Sequence, residues 1–354
     1  MGLFKPNVKR MLERKDLPGL IKALGADHFE TRQAATEALR QIGAPALEPL
    51  TAALRDRGWS ARPAAARALG EVIAHSRDSA LRARAIETLV ATLEDQDRSV
   101  RTAAAATLGR VVDPDQDAPL CAPVTEALIA ALEDRDTSSA SGAAATALAQ
   151  VAGRSTDSAL GARAIEALTA ALHGGIRLGK DDTAQVLGAV GGTVAQLGDT
   201  AFAARIADEL IQLARMSFSS VRQAMESPRE IPGMILMRGP YVDLGPLNTA
   251  LVATGRMAIE PLLAALKDDD QSLRQFAAGV LGQIRDPRSV EPLAAALQDA
   301  DPDVRRNAAS ALGQIGDPRA LEPLEIAAID REEKVRQAAA EALGTIRAGG
   351  RGHG

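Results

Sequence analysis

Apolar residues recur along this chain in steps of three and four. In the segment that starts at Asp303 they fall at Val304, Ala308, Ala311, Leu312 and Ile315, a spacing that gathers them into one stripe on an α-helix. No run alternates apolar and polar for long enough to predict a strand. The same stripe returns after Gln271 and after Lys334, and the three segments align without gaps on their Ala-Ala and Leu-Gly pairs. Each closes on a leucine, and that marker recurs at Leu39, Leu69, Leu108, Leu148, Leu187, Leu251, Leu281, Leu312 and Leu343. Successive markers are 30, 39, 40, 39, 64, 30, 31 and 31 residues apart. Periods of this size are the signature of stacked helical units.

Each unit reads as two antiparallel helices. Ahead of the C-terminal stripes stand Glu260-Pro261-Leu262, Glu291-Pro292-Leu293 and Glu322-Pro323-Leu324. Asp317 is placed to cap a first helix with Pro318 at its first position. Pro323 then falls within that helix and is expected to bend it. The longer units look duplicated in pairs, because residues 78–93 match residues 157–172 at 12 of 16 positions. Their extra length lies in loops such as 76–79 and 155–158.

A bent first helix, an alanine-rich second helix, an Asp-bearing turn and the pattern Val-Arg-x-Ala-Ala-x-x-Ala-Leu-Gly together resemble the HEAT-repeat family. The 30–31-residue units resemble its short variety, the phycobilisome-lyase-type HEAT-like repeats. The resemblance covers roughly residues 17–346. It implies an all-α fold, a right-handed α-solenoid of about nine HEAT-like helical hairpins, usually used to bind other proteins. Members also include bilin-lyase subunits, DNA glycosylases and an iron hydroxylase, so the fold does not fix the activity. The expected organisation is a capping helix at 1–16, repeats at 17–226, an insertion at 227–246, further repeats at 247–346 and a disordered tail at 347–354.

Composition agrees with close helix packing. Alanine supplies 72 of 354 residues and aromatics only seven, too few for a sandwich core. The formal net charge of −5 disfavours non-specific nucleic-acid binding. A single cysteine, Cys121, rules out an internal disulfide. Residues 1–15 carry Lys5, Lys9, Arg10 and Arg14 and do not read as a secretory signal. No stretch has the length and apolarity of a membrane span. The expectation is a cytoplasmic protein without membrane attachment. The N-terminal segment places Phe4, Val8, Met11 and Leu12 on one helical face, as a cap over the apolar end of a repeat array does.

Seven residues before each marker leucine stand Arg32, Arg62, Arg101, Ser141, Lys180, Leu244, Arg274, Arg305 and Arg336. The arginines of this register are expected to bridge to aspartates such as Asp268, Asp299, Asp301 or Asp330. The joints at Ser141 and Leu244, which lack one, should be looser. The remaining surface of the second helices is nearly neutral: Arg67, Arg110 and Arg306 stand against Glu37, Glu71, Asp181, Asp182 and Glu341. A nucleic-acid-binding solenoid should line this face with Lys and Arg.

Chemistry is sparse. None of His28, His75, His173 and His353 precedes a glutamate, as the iron ligands of a hydroxylase of this family would. No phosphate loop, dinucleotide fingerprint or nucleophile elbow appears. The expectation is therefore no catalytic residue, no metal and no cofactor, with an enzyme subunit of the bilin-lyase type as the alternative. Cys121 reads as a buried bystander beside Pro123. Gly188, Gly191 and Gly192 mark close packing or a break.

The jump of 64 residues between Leu187 and Leu251 is the strongest lead. Residues 200–215 read as one helix and 218–226 as a second, short one. Residues 227–246 then hold seven Pro or Gly, yet also Ile231, Met234, Leu236, Met237 and Tyr241. Such a segment suits either a plug between two halves or an adaptable binding surface. The candidate contacts for a protein partner of unknown identity are Met234, Met237, Arg238 and Tyr241, with Gln275, Phe276, Arg306 and Asn307 on the second helices beside them. The interruption is also the expected weak seam of the array.

Overall fold

The computed structural model describes residues 7–56, 59–74, 76–133, 138–174, 180–226 and 244–350. After a short α1 (Val8–Glu13) come five hairpins: α2 (Leu17–Ala23) with α3 (Phe29–Ile42), α4 (Leu47–Arg55) with α5 (Arg62–Ala74), α6 (Ser79–Thr92) with α7 (Arg98–Val111), α8 (Ala118–Glu133) with α9 (Ser138–Arg154), and α10 (Ser158–His173) with α11 (Lys180–Leu197). Four more follow: α12 (Thr200–Glu226) with α13 (Leu244–Thr254), α14 (Ile259–Ala265) with α15 (Gln271–Ile284), α16 (Val290–Ala296) with α17 (Pro302–Ile315), and α18 (Leu321–Ala327) with α19 (Glu333–Gly350). Nine hairpins and no strand stand among the described residues, an all-α solenoid as the periodicity predicts.

The marker leucines form the spine of the core. Eight are fully buried and Leu343, in the last hairpin, is 7% exposed. The glycine after several of them has a steric cause. A Cβ on Gly109 would stand 2.6 Å from the Cα of Ala147, and one on Gly282 would stand 2.7 Å from the Cα of Ala311. On Gly313 it would meet the Cβ of Ala342 at 2.8 Å. In each pair the residue just before one marker leucine seats in the notch just after the previous marker. Alanine and glycine thus let consecutive second helices approach closely, and this explains the aromatic-poor composition. In α11 the notch is one turn later, with Gly191 facing Ala250, while Gly188 and Gly192 face open space and the helix runs on unbroken.

Two expectations are corrected. The segment 200–226 is one helix, not two, because it holds no Pro or Gly and the Ser220 hydroxyl donates to the Met216 carbonyl at 2.9 Å. Pro323 does not bend a long first helix. A 3-10 turn over Pro318–Ala320 precedes α18, so Pro323 sits in the first helical turn, where an N–H has no intrahelical acceptor. Asp317 caps that turn through the Arg319 N–H at 2.9 Å. At the C-terminus α19 continues through Gly350.

The chain splits into two compact units, Met1–Ala171 with Ile176–Val186, and Leu172–Gly175 with Leu187–Gly354. The boundary falls inside α11. The reason is α12, which packs on α13, α14 and α15 and so joins the C-terminal hairpins.

Candidate functional site

The arginine register is built into the joints. Arg305 donates to both carboxylate oxygens of Asp330, at 2.8 and 3.0 Å, and its Nη1 also reaches the carbonyls of Asp299 and Ala300 at 2.9 and 3.2 Å. Arg274 makes the same set with Asp299, at 2.8 and 2.9 Å, and with the carbonyls of Asp268 and Asp269. Arg62 donates to Asp95 at 2.6 Å. Arg32, Arg101 and Arg336 each use Nη1 on two carbonyls of their own turn. At Arg32, Arg101, Arg274, Arg305 and Arg336 one arm of the guanidinium therefore closes its own hairpin turn, and at Arg62, Arg274 and Arg305 an arm holds the next hairpin.

The acceptor side is equally regular. Asp95, Asp299 and Asp330 each also accept the backbone N–H two residues on, at 2.8 Å. That second residue is an aspartate in the first two turns. Asp97 caps α7 through Ser99 N–H, and Asp301 caps α17 through Asp303 N–H. The Arg305 bond holds the Asp330 carboxyl below the usual carboxylate range despite burial. Burial alone would raise Asp299, but the Arg274 bond and its charge outweigh it and the net shift is downward.

Of the two joints expected to be loose, the one at Leu244 is held by other means. Leu244 carries no guanidinium, but α12 supplies two. Arg215 pairs with Asp268, and Arg222 lies 3.2 Å from Asp270. Ser141 is itself buried, and at the preceding joint the Gly109–Ala147 contact and the Arg154 bond to the Gly109 carbonyl hold α9 to α7.

Of the candidate partner contacts, Met234, Met237, Arg238 and Tyr241 lie outside the described residues. The other four are neighbours on α15 and α17. Asn307 donates to the Gln275 carbonyl at 3.1 Å, and the Gln275 amide donates to Asp301 at 3.1 Å. Arg306 is exposed, donates to Asn307 Oδ1 at 3.1 Å and lies 3.7 Å from Asp303. Phe276 stacks edge to face on Phe218 of α12, centroids 6.2 Å apart. Gln275, Phe276 and Asn307 are thus engaged between helices, and Arg306 is the member most open to solvent.

Two features escaped sequence reasoning. Arg82 and Asp117 form an ion pair whose side chains are 3% and 2% exposed. Arg82 also satisfies the Ile73 and Val111 carbonyls at 2.8 Å each. In the duplicated unit the position of Arg82 is Gly161, so the register gave no warning. The second feature is a groove of about 890 Å³ on α3, α5 and α7, lined by Phe29, Arg32, Arg40, Arg67, Glu71 and Arg110 among others. Arg67 and Arg110 were visible as two of three cations on the second-helix surface. What their sequence positions did not show is that they face one hollow with Phe29, whose ring is 68% exposed.

Elsewhere the side chains have structural duties. Cys121 is buried, its thiol pushed up by burial and turned to the Asp117 carbonyl at 3.5 Å. His28 occupies the N-cap position of α3 and His173 the last turn of α10. Among the described residues no three His, Cys, Asp or Glu side chains converge as metal ligands, and no helix is long and apolar enough to cross a membrane.

No curated protein sequence matches the chain. Among solved structures it is similar to the karyopherin Kap121p, bound to the extreme C-terminus of the protein phosphatase Cdc14p, with 14% identity and a TM-score of 0.59 over 94% of this chain and 38% of that one. It is also similar to Kap95p in its complex with RanGDP, with 13% identity and a TM-score of 0.52 over 95% of this chain and 44% of that one. The chain spans less than half the length of these karyopherins, and at such identity the likeness is one of fold. The family model for HEAT repeats matches residues 17–84 and 259–344, and that for a HEAT-like repeat matches 59–111. Together they cover just over half of the sequence, and the chain belongs to the HEAT-repeat family.

Proposed function

We propose that this protein is a non-catalytic scaffold or adaptor that binds protein partners on the face carried by its second helices. One observation carries the reading. The register arginines and their aspartates are consumed in the joints between hairpins, which leaves the outward positions of the second helices, Arg306 among them, open to solvent. The solved karyopherins of similar fold, captured with a phosphatase C-terminus and with RanGDP, are in keeping with this use. Residues 227–246, rich in methionine, act as a modulator of that face.

The test is affinity capture from a lysate of the source organism with three baits: the full chain, a chain lacking residues 227–246, and Arg306→Glu. A partner held stoichiometrically by the full chain and weakened by either change supports the reading. Partners bound equally by all three, or none above bare matrix, sink it. Turnover of any small molecule by the purified chain would move the protein to a different class.

A further inference from the structure

We infer that the α3/α5/α7 groove is a docking site for a short acidic peptide segment, whose carboxylate pairs with Arg67 while an apolar neighbour packs on Phe29. The inference rests on the scaffold reading and specifies one of its sites. Its first support is the bookkeeping of charge inside the groove. Arg40 is committed to Glu37 through two bonds of 2.7 and 2.6 Å. Arg110 is committed to Glu71 at 2.7 Å. Arg32 holds the carbonyls of Ala26 and Asp27 at 2.9 and 2.8 Å. Arg67 has no such partner among the described residues. Partial burial and the two like charges of Arg32 and Arg110 lower its pKa, and no carboxylate weighs on it. A guanidinium crowded by two others and left unpaired stabilises any anion that enters.

Shape and polarity narrow the occupant. A hollow of about 890 Å³ lies within the range of ligand clefts. Phe29 stands at its edge as one of the few large apolar side chains left exposed, with the Arg32 guanidinium 5.8 Å from its ring. An aromatic face beside a fork of donors fits a peptide that offers a carboxylate and an apolar side chain together. A nucleic acid fits poorly. Its affinity grows with the number of phosphates neutralised, and here Glu30, Glu37 and Glu71 stand in the same wall as Arg67.

The experiment uses the full chain and a dye-labelled peptide of alternating Glu and Leu, followed by fluorescence anisotropy. The native protein should bind it, Arg67→Lys should retain most of the affinity, and Arg67→Glu should weaken it about tenfold or more. The matching Lys–Leu peptide should not bind. Thermal melts of Arg67→Glu should not fall below those of the native protein, because among the described residues Arg67 makes no hydrogen bond or ion pair and its like-charged neighbours Arg32 and Arg110 gain an opposite charge. The inference is overturned if the native chain does not bind the acidic peptide, if Arg67→Glu binds it at full strength, or if a duplex oligonucleotide binds more tightly than the peptide. A partner captured from lysate and retained by Arg67→Glu leaves the scaffold reading standing and removes this site from it.

Discussion

Single side chains in this molecule are chosen for how closely they let backbones approach. Gly282 and Gly313 illustrate it, since an added Cβ would lie 2.7–2.8 Å from Ala311 or Ala342. Gly282→Ala or Gly313→Ala should therefore destabilise by about 1–3 kcal/mol, the usual cost of overpacking. Gly279→Ala and Gly344→Ala, with nothing within 4 Å, should instead stabilise by up to about 1 kcal/mol through helix propensity. Chemical denaturation of the four variants checks both signs. Arg82 is the opposite kind of residue. Arg82→Met would strand the buried Asp117 carboxylate and two carbonyls, at a cost of about 3–5 kcal/mol, measurable as a fall in the denaturation midpoint. The Leu-Gly notch was legible in the sequence because it repeats. The Arg82–Asp117 pair was not, because it occurs once and joins residues 35 apart whose types alone are ordinary on a helix surface.

At the scale of elements, the turn aspartates tie one hairpin to the next. Asp299, Asp301 and Asp330 all have folded pKa values below the ordinary carboxylate value. A lowered folded value means that the stability they contribute is fully present above the unfolded pKa of about 3.9 and is lost as pH falls through the folded values. The C-terminal hairpins should therefore melt at a constant temperature from neutral pH down to about pH 4.5 and lose stability progressively below about pH 4. A calorimetric series in which Arg305→Ala shows the same acid slope as the native chain would contradict this. The hairpins themselves were readable from period, caps and Pro-Leu pairs. The unbroken α12 was not, because Met216 and Ser217 look like a boundary until Ser220 is seen to bond back within the helix. Nor was the compensation at Leu244, since Arg215 lies in no register position and finds Asp268 only through the fold.

For the molecule as a whole, the Pro/Gly content of 227–246 makes it the expected first site of limited proteolysis. The structure changes what should follow. Because α12 packs with α14 and α15 and contributes Arg215, Arg222 and Phe218 to them, the two products should stay together. A nicked sample should elute from a sizing column as one particle in native buffer and separate only in denaturant. Free fragments at physiological salt would show that this joint contributes little. The second-helix face was read in the sequence as neutral and featureless on average. The average hid the local truth at the N-terminal end, where spacing alone did not bring Phe29, Arg67 and Arg110 into one hollow.

The Arg305–Asp330 bond has one further consequence. Each hairpin in the C-terminal block carries a donor for its successor and an acceptor for its predecessor, so the chain is written in interchangeable words. Deleting residues 286–316 joins Arg285 to Asp317 and restores the phrase Arg-Asp-Pro-Arg found natively at residues 285–288. Arg274 would then meet Asp330 in place of Asp299, Gly282 would meet Ala342 in place of Ala311, and no joint guanidinium would be orphaned, while the surface pair of Lys334 with Asp303 would be lost. Such a shortened protein should fold and melt cooperatively. A deletion of the same length begun mid-helix, which leaves donor and acceptor out of step, should not. Lineages of this chain are then free to gain and lose hairpins here by unequal recombination, and length variation among its descendants should come in whole multiples of one word.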